Sequence, residues 1–306
     1  MKKTTLSLIR FTAIAVLAFS MFSCGEDPVP APTVQVFASV DGYQVAFTVT
    51  ATNADSYSWA FGDGETSTEQ NPVYEYGQSG DYTATVTVTG EGGTADGTVD
   101  VTIAASEVEM LTGGPAAANG KAWVISPSGS EGDGIFKIDE EFELEEPIPD
   151  GILGLIGLAS EYEDEFVFHH DMSYTHDVKN DSAITNLIYA MLSQIEFKPS
   201  LRDPIALAPF TPEAATFTYT EDTDLTLTCV DKDDDEVTHE FTWSDVTVLE
   251  IEGGTEFATI RDFTREYLIL DISVDKLQIG IFASTSEGSK ANVPKHLLVM
   301  TMKPAE

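Results

Sequence analysis

Apolar and polar residues alternate along much of the chain. Val45, Phe47 and Val49 are separated by polar or small residues, as are Tyr82, Ala84, Val86 and Val88, and then Val99, Val101 and Ile103. A period of two with one apolar face predicts half-buried strands. Gly62-Asp63-Gly64, Gly77, Gly80 and Gly92-Gly93 fall between these runs and predict turns. Further strand patterns run through 215–219, 225–230, 241–243, 246–251, 267–272, 277–282 and 297–302. One stretch has helical spacing: Ile184, Leu187, Ile188, Met191, Leu192 and Ile195, with Asp181 or Ser182 to cap its start and Pro199 to close it. One helix among many strands predicts a sandwich or barrel carrying a helical insertion. The chain therefore reads as all-β: a small β-sandwich over 33–104, then a larger β-sandwich or jelly-roll-like domain over 105–306 with one inserted helix.

The first residues break this pattern. Lys2, Lys3 and Arg10 precede the apolar run 11–22, which ends at Ser23 and Cys24. A basic start, a short apolar stretch and a small residue before a cut form a secretory signal, here 1–23. The run is too short to span a bilayer as a helix. Cys24 resembles the cysteine that bacterial lipoproteins diacylate, with Met21-Phe22-Ser23 at the lipobox position. Gly25, Glu26 and Asp27 form an acidic patch directly after it, similar to the surface-export signal of some gram-negative lipoproteins. The prolines Pro28, Pro30 and Pro32 suit a stiff tether over 24–32. The resemblance implies an outer-membrane protein held by its lipid and facing outward, with no other membrane contact.

Charge narrows the partners. The chain carries 15 basic and 52 acidic residues, a formal net charge of -37. Such a chain repels phosphate backbones, so nucleic acid is excluded as a partner. Uncharged or cationic ligands suit it better than highly anionic ones. Only two cysteines exist, so lipidation of Cys24 leaves Cys229 without a disulfide partner. Cys229 lies on the leucine face of an alternating strand and reads as a small buried apolar residue.

The first sandwich carries a recognisable motif set. Tyr57-Ser58-Trp59-Ala60-Phe61-Gly62-Asp63-Gly64 is followed by Asn71-Pro72, by Tyr74 and Tyr76, and by the strand opening Gly80-Asp81-Tyr82. In order and spacing this resembles the PKD family, which has an Ig-like β-sandwich fold. Ala60 stands where that family usually has Asp. Trp59 and Tyr82 read as core, and Asp63 as a partner of backbone amides in the turn. The resemblance implies a spacer or interaction module on a secreted or surface protein.

Two segments of the larger domain resemble another group. They are Leu111 to Gly114 with Gly120-Lys121-Ala122-Trp123-Val124-Ile125, and Tyr162-Glu163-Asp164-Glu165-Phe166-Val167-Phe168 with Met172-Ser173-Tyr174-Thr175-His176-Asp177. They look like the C-terminal β-domain of surface lipoproteins from bacterial polysaccharide-utilisation (Sus-like) systems. Such proteins sit beside an outer-membrane transporter and bind glycans. The chain departs from that group within 127–160, where paired tryptophans are usual and Gly151 to Leu158 is apolar and glycine-spaced.

Candidate chemistry is sparse. A glycan site needs flat aromatic faces beside hydrogen-bonding side chains. Trp243 and Trp123 are candidates, with core packing the commoner role for such rings. A third candidate is a hairpin with a two-residue turn at Asp171-Met172. That turn sets His169 opposite Tyr174 and Val167 opposite His176, and it predicts an outward face of His169, Tyr174 and His176 able to hold a sugar. Asp231, Asp233 and Asp235 alternate between two strands and leave Ca²⁺ open as a bound ion, although the EF-hand pattern fails and a solvated hairpin tip is the ordinary reading. No other cofactor is indicated. Glu163, Asp164 and Glu165 can supply a carboxylate pair for glycoside hydrolysis, but acidic residues are everywhere in this chain. No nucleophile elbow, zinc motif or phosphate loop occurs. The sequence thus points to a non-enzymatic surface lipoprotein that binds an extracellular glycan for a neighbouring transporter. The alternatives are a glycoside hydrolase or lyase, and a structural or adhesive protein.

Overall fold

The structure is a computed structural model and describes residues 28–139, 142–179, 181–200, 205–253, 260, 262–284 and 290–306. The signal and Cys24 lie outside these. The chain divides into two compact units. Phe47–Pro72 and Thr83–Val99 belong to the first, and Ala38–Ala46, Val73–Tyr82 and the chain from Asp100 onward to the second.

The N-terminal strands follow the alternating pattern. β1 (Thr33–Asp41), β2 (Gln44–Thr52) and β5 (Val73–Glu75) form one sheet, in the order β1-β2-β5. The other sheet runs β4-β3-β6-β7, from β3 (Ser56–Ala60), β4 (Thr66–Ser67), β6 (Gly80–Gly90) and β7 (Gly93–Ile103). The alternating Val45, Phe47 and Val49 are buried, as are Ala84, Val86 and Val88. Trp59 is 1% exposed, and its ring forms a three-ring cluster with Phe47 at 5.1 Å and Phe61 at 6.2 Å, which also touch each other at 5.4 Å. Its indole N–H donates to the Glu69 carbonyl at 3.0 Å, so the polar end of the ring is satisfied inside the core. In the turn, Asp63 accepts from the Glu65 amide. Gly62 has φ +95, and a Cβ there would meet the Thr83 carbonyl oxygen at 2.9 Å, so only glycine fits.

The larger domain is one ten-stranded antiparallel sheet and its insertions. In chain order come helix α1 (Glu107–Thr112), β8 (Lys121–Ile125), β9 (Gly134–Lys137), β10 (Glu143–Pro147), the single turn α2 (Ile152–Leu155), and a 3-10 turn Ala159–Glu163. Then follow β11 (Glu165–Phe168), β12 (Ser173–Asp177), β13 (Ser182–Asn186), α3 (Leu187–Leu192), β14 (Lys198–Pro199) and β15 (Ile205–Pro209). The chain ends with β16 (Ala215–Val230), β17 (Thr238–Gly253), β18 (Glu266–Ile272), β19 (Leu277–Ala283) and β20 (His296–Pro304). The sheet order is β10-β9-β20-β19-β18-β17-β16-β12-β11-β8, and β20 also pairs with β8. That pairing seals the eight strands from β20 to β8 into a ring and leaves no edge among them.

Strands β19 and β20, and β18 over 267–269, are buried on both faces. Tyr267, Ile269, Ile279, Ile281, Leu298 and Met302 point into the inner core. Leu268, Phe282, Leu297 and Val299, on the opposite face, pack with Leu225, Cys229 and Trp243. The two layers of a β-sandwich result, and the long β16–β17 hairpin serves both. Phe217, Leu249 and Ile251, nearer its base, join the inner core. Pairing shifts register between Thr220 and Leu225, and Asp222 (φ 48°) and Asp245 (φ 56°) are left-handed. These bulges bend the hairpin and re-aim its tip, which carries Leu225 and Trp243 onto the outer cluster.

The expected helix over 184–195 is corrected to six residues. Its first three residues belong to strand β13, paired with β15 from Ser182↔Pro209 to Asn186↔Ile205. Ala183, Ile184, Thr185 and Asn186 are all buried, and burial on every side suits a strand between neighbours better than an amphipathic helix. Asp181 is not a cap. It has φ 54°, and its carbonyl accepts from the Phe210 amide. Gln194, at φ 56°, terminates the helix instead of Pro199.

Candidate functional site

The β11–β12 hairpin is out of step with the sequence expectation by one residue. Phe168 faces Tyr174 and Phe166 faces His176. His169 belongs to the connection, where its amide donates to the Ser173 carbonyl and its carbonyl accepts from the Met172 amide. Met172 takes a left-handed φ of 65°. A slip of one residue carries a whole side-chain set to the other face. Tyr174 therefore points into the core, 0% exposed, with its ring 5.0 Å from Phe168. His176 is 4% exposed and lies against Phe166 and Phe210. His169 sits apart from both, over Gly120. The predicted outward trio of His169, Tyr174 and His176 does not form.

The same register creates a buried polar group. Glu161 on the 3-10 turn and Asp164 just after it are both 0% exposed, and His176 Nε2 lies 3.5 Å from Asp164 Oδ2. Asp164 Oδ1 accepts from the Lys179 amide. Among the described residues, Glu161 Oε2, Asp164 Oδ2 and both His176 nitrogens have no hydrogen-bond partner. Burial pushes the Glu161 carboxyl up to about 7; the Ser160 hydroxyl opposes this and the nearby Asp164 carboxylate adds to it. Glu163 is exposed, and Glu165 pairs with Lys179 at 3.2 Å. The acidic run 163–165 thus alternates between faces and presents no carboxylate pair to a cleft. Nothing in the sequence singles out Glu161, because its burial depends on a turn that only the fold reveals.

The remaining candidates are structural in their contacts. Trp123 is 0% exposed, donates to the Leu111 carbonyl at 2.9 Å and lies under the Lys121 ammonium. Trp243 is 7% exposed, stacks on Phe142 at 4.9 Å and donates to the Asp139 carbonyl. Neither offers a flat face to a ligand. The acidic run spends its oxygens on its own loop. Asp231 Oδ1 accepts from the amides of Asp233 and Asp234, and Oδ2 lies 2.9 Å from His239 Nε2. The Asp233 amide is the leading cause of a lowered Asp231 carboxyl. Asp235 pairs with Lys295. Among the described residues no three His, Cys, Asp or Glu side chains converge on a cation position, so Asp231, Asp233 and Asp235 do not build the Ca²⁺ site their spacing left open. Cys229 is buried, and burial pushes its thiol up to about 12, which keeps it unreactive.

An open cleft lies at the end of the three-stranded sheet β13-β15-β14. Its volume is about 390 Å³. Leu207, Ala208 and Pro209 of β15 line one part, and Asp181 and Ser182 enter from the start of β13. Glu196 and Phe197, just before β14, and Lys198, its first residue, close it. β14 is two residues long and ends in proline, so it edges the sheet without inviting another strand. Asp181, Glu196 and Lys198 are exposed and Phe197 is half-buried. None of the three charged side chains forms an ion pair or side-chain hydrogen bond among the described residues. Sequence reasoning misses Glu196, Phe197 and Lys198 because the stretch before them has the spacing of a helix that runs on to Pro199.

Residues 26–105 match the family model for the PKD domain. The N-terminal segment is accordingly a PKD domain. It is 39% identical over 70 residues to pre-pro-metalloprotease PrtV of Vibrio cholerae, a match that covers 22% of this chain and 8% of that protein. A second match, 61% identical over 33 residues, is to collagenase ColA of Bacillus cereus and covers 11% of this chain and 3% of the other. The chain therefore spans less than a tenth of the length of these relatives. The crystal structure of the PKD1 domain from the Vibrio cholerae protease aligns with 24% of this chain and 98% of its own, at 33% identity and a TM-score of 0.24. A structure titled for carbohydrate-binding modules of the β-sandwich superfamily aligns over 92% of this chain and 94% of its own, at 11% identity and a TM-score of 0.25. A likeness that weak assigns no function.

Proposed function

We propose that this chain is a surface-exported, lipid-anchored binding protein whose larger domain holds an extracellular glycan beside an outer-membrane uptake system. The observation that carries this reading is the open cleft of about 390 Å³, which falls within the range of small-ligand sites and mixes a ring with acceptors and a donor. The N-terminal PKD domain supports it, because such modules space or present a neighbour on exported proteins. The signal ending at Cys24 and the Pro-rich tether support the anchor. Binding is favoured over hydrolysis because Glu161 and Asp164, the carboxylates drawn together in the buried polar group, are sealed from solvent and out of a polysaccharide's reach.

The test is affinity electrophoresis of the full chain through gels containing single polysaccharides, with the reducing ends released from each polysaccharide measured in parallel. The reading predicts retardation by at least one polysaccharide and no release of reducing ends. Steady release would make the chain a hydrolase. Unretarded migration through a broad panel would leave the adhesive or spacer reading.

A further inference from the structure

The charges in the cleft restrict what it can hold. Two carboxylates, Asp181 and Glu196, and one ammonium, Lys198, line the cleft together with the half-buried ring of Phe197. Several other lysines of the larger domain are committed: Lys179, Lys232, Lys276 and Lys295 each lie against a carboxylate. Lys198, like Lys121, Lys137 and Lys290, has no carboxylate ion pair among the described residues, and it is the one of these four that lines the cleft.

Each class of ligand meets these groups differently. An anionic ligand gains Lys198 but confronts two carboxylates within the field of the whole chain. A cationic ligand gains the carboxylates but confronts Lys198. A purely apolar ligand covers Phe197 and strips water from three charges without replacing their hydrogen bonds. A neutral polyhydroxylated ring satisfies all four groups. Its hydroxyls donate to the carboxylates, which only accept, and accept from the ammonium, which only donates. Its C–H face lies on the phenyl ring. Resting on the glycan-binding reading above, we infer that the cleft formed by Asp181, Glu196, Phe197 and Lys198 is the saccharide site, and that it takes an uncharged sugar rather than a uronate or sulfated one.

The inference is tested by isothermal titration of the full chain, purified in a detergent without a sugar headgroup, against four neutral hexasaccharides: those of cellulose, xylan, mannan and amylose. Oligogalacturonate serves as the anionic probe. A neutral hexasaccharide is expected to bind with an affinity unchanged between low and high salt, because no net charge is neutralised. Phe197→Ala and Lys198→Ala are each expected to weaken it about tenfold or more, roughly the loss of one charge-assisted hydrogen bond or one ring contact. Thermal melts accompany every variant. Lys198 is exposed, so its variant keeps the test alive if the loss of Phe197 disturbs the fold. Neutral binding that survives both substitutions overturns the site while the glycan-binding function stands. Binding confined to oligogalacturonate, with steep salt dependence, overturns the ligand class. No binding by wild type to any probe overturns the inference together with the reading it rests on.

Discussion

At the scale of single residues, environment decides role more than identity does. Trp59 was legible because its motif fixes it in a known packing position, and it is buried in a cluster with Phe47 and Phe61. Trp243 was less so, because a tryptophan on an alternating strand is compatible with a sugar platform as well as with a core, even though core is the commoner role. The bent hairpin that carries it decides the matter. Glu161 is the residue with the sharpest consequence. Its carboxyl titrates near 7 in the folded chain against an ordinary 4.5, so the folded state holds that proton more tightly. The associated stabilisation is full below about pH 4.5 and is lost as pH rises through about 7. Glu161→Gln keeps the shape and removes the titration. The difference in unfolding free energy between wild type and this variant, measured by urea titration across pH 4 to 8, should shift steadily against wild type over that window. A difference that stays flat with pH would show that Glu161 titrates normally.

At the scale of elements, alternation located the strands well but could not set their register. The patterns at 267–272, 277–282 and 297–302 became β18, β19 and β20 almost unchanged, because both faces of each strand are apolar where two layers meet. In the β11–β12 hairpin the turn, not the pattern, sets the pairing, and a longer connection sent Tyr174 inward. The apolar residues of 184–195 satisfied helical spacing by coincidence, because β13 and α3 are both apolar and follow one another directly. The outer cluster gives an element-level prediction. Trp243→Ala empties the space between Phe142, Phe241 and Phe282, which lie 4.9 to 6.0 Å from it. The expected cost is about 3 to 5 kcal/mol in urea unfolding, with saccharide affinity unchanged in the folded protein. A mild stability effect accompanied by lost binding would make Trp243 a ligand residue after all.

At the scale of the whole molecule, a PKD module precedes a larger sandwich closed by the β20–β8 pairing, and the proposal sets both behind a lipid anchor. Domain order and β-class were legible, since they depend on strand periodicity and on a motif set compact in sequence. The cleft was not, because it gathers residues from 181–182, 196–198 and 207–209 through the pairing of three short strands. The anchor has its own check. Cys24→Ala should move the protein from the membrane fraction to the soluble one and abolish palmitate labelling, and a variant still labelled in membranes would refute it. The central claim, that the larger domain binds a glycan in this cleft, is met most directly by hydrogen–deuterium exchange of the full chain with and without the neutral hexasaccharide it binds best. Slowed exchange confined to 181–198 and 205–209 is the predicted result. Slowed exchange in 33–104 alone, or none anywhere at saturating sugar, would contradict it.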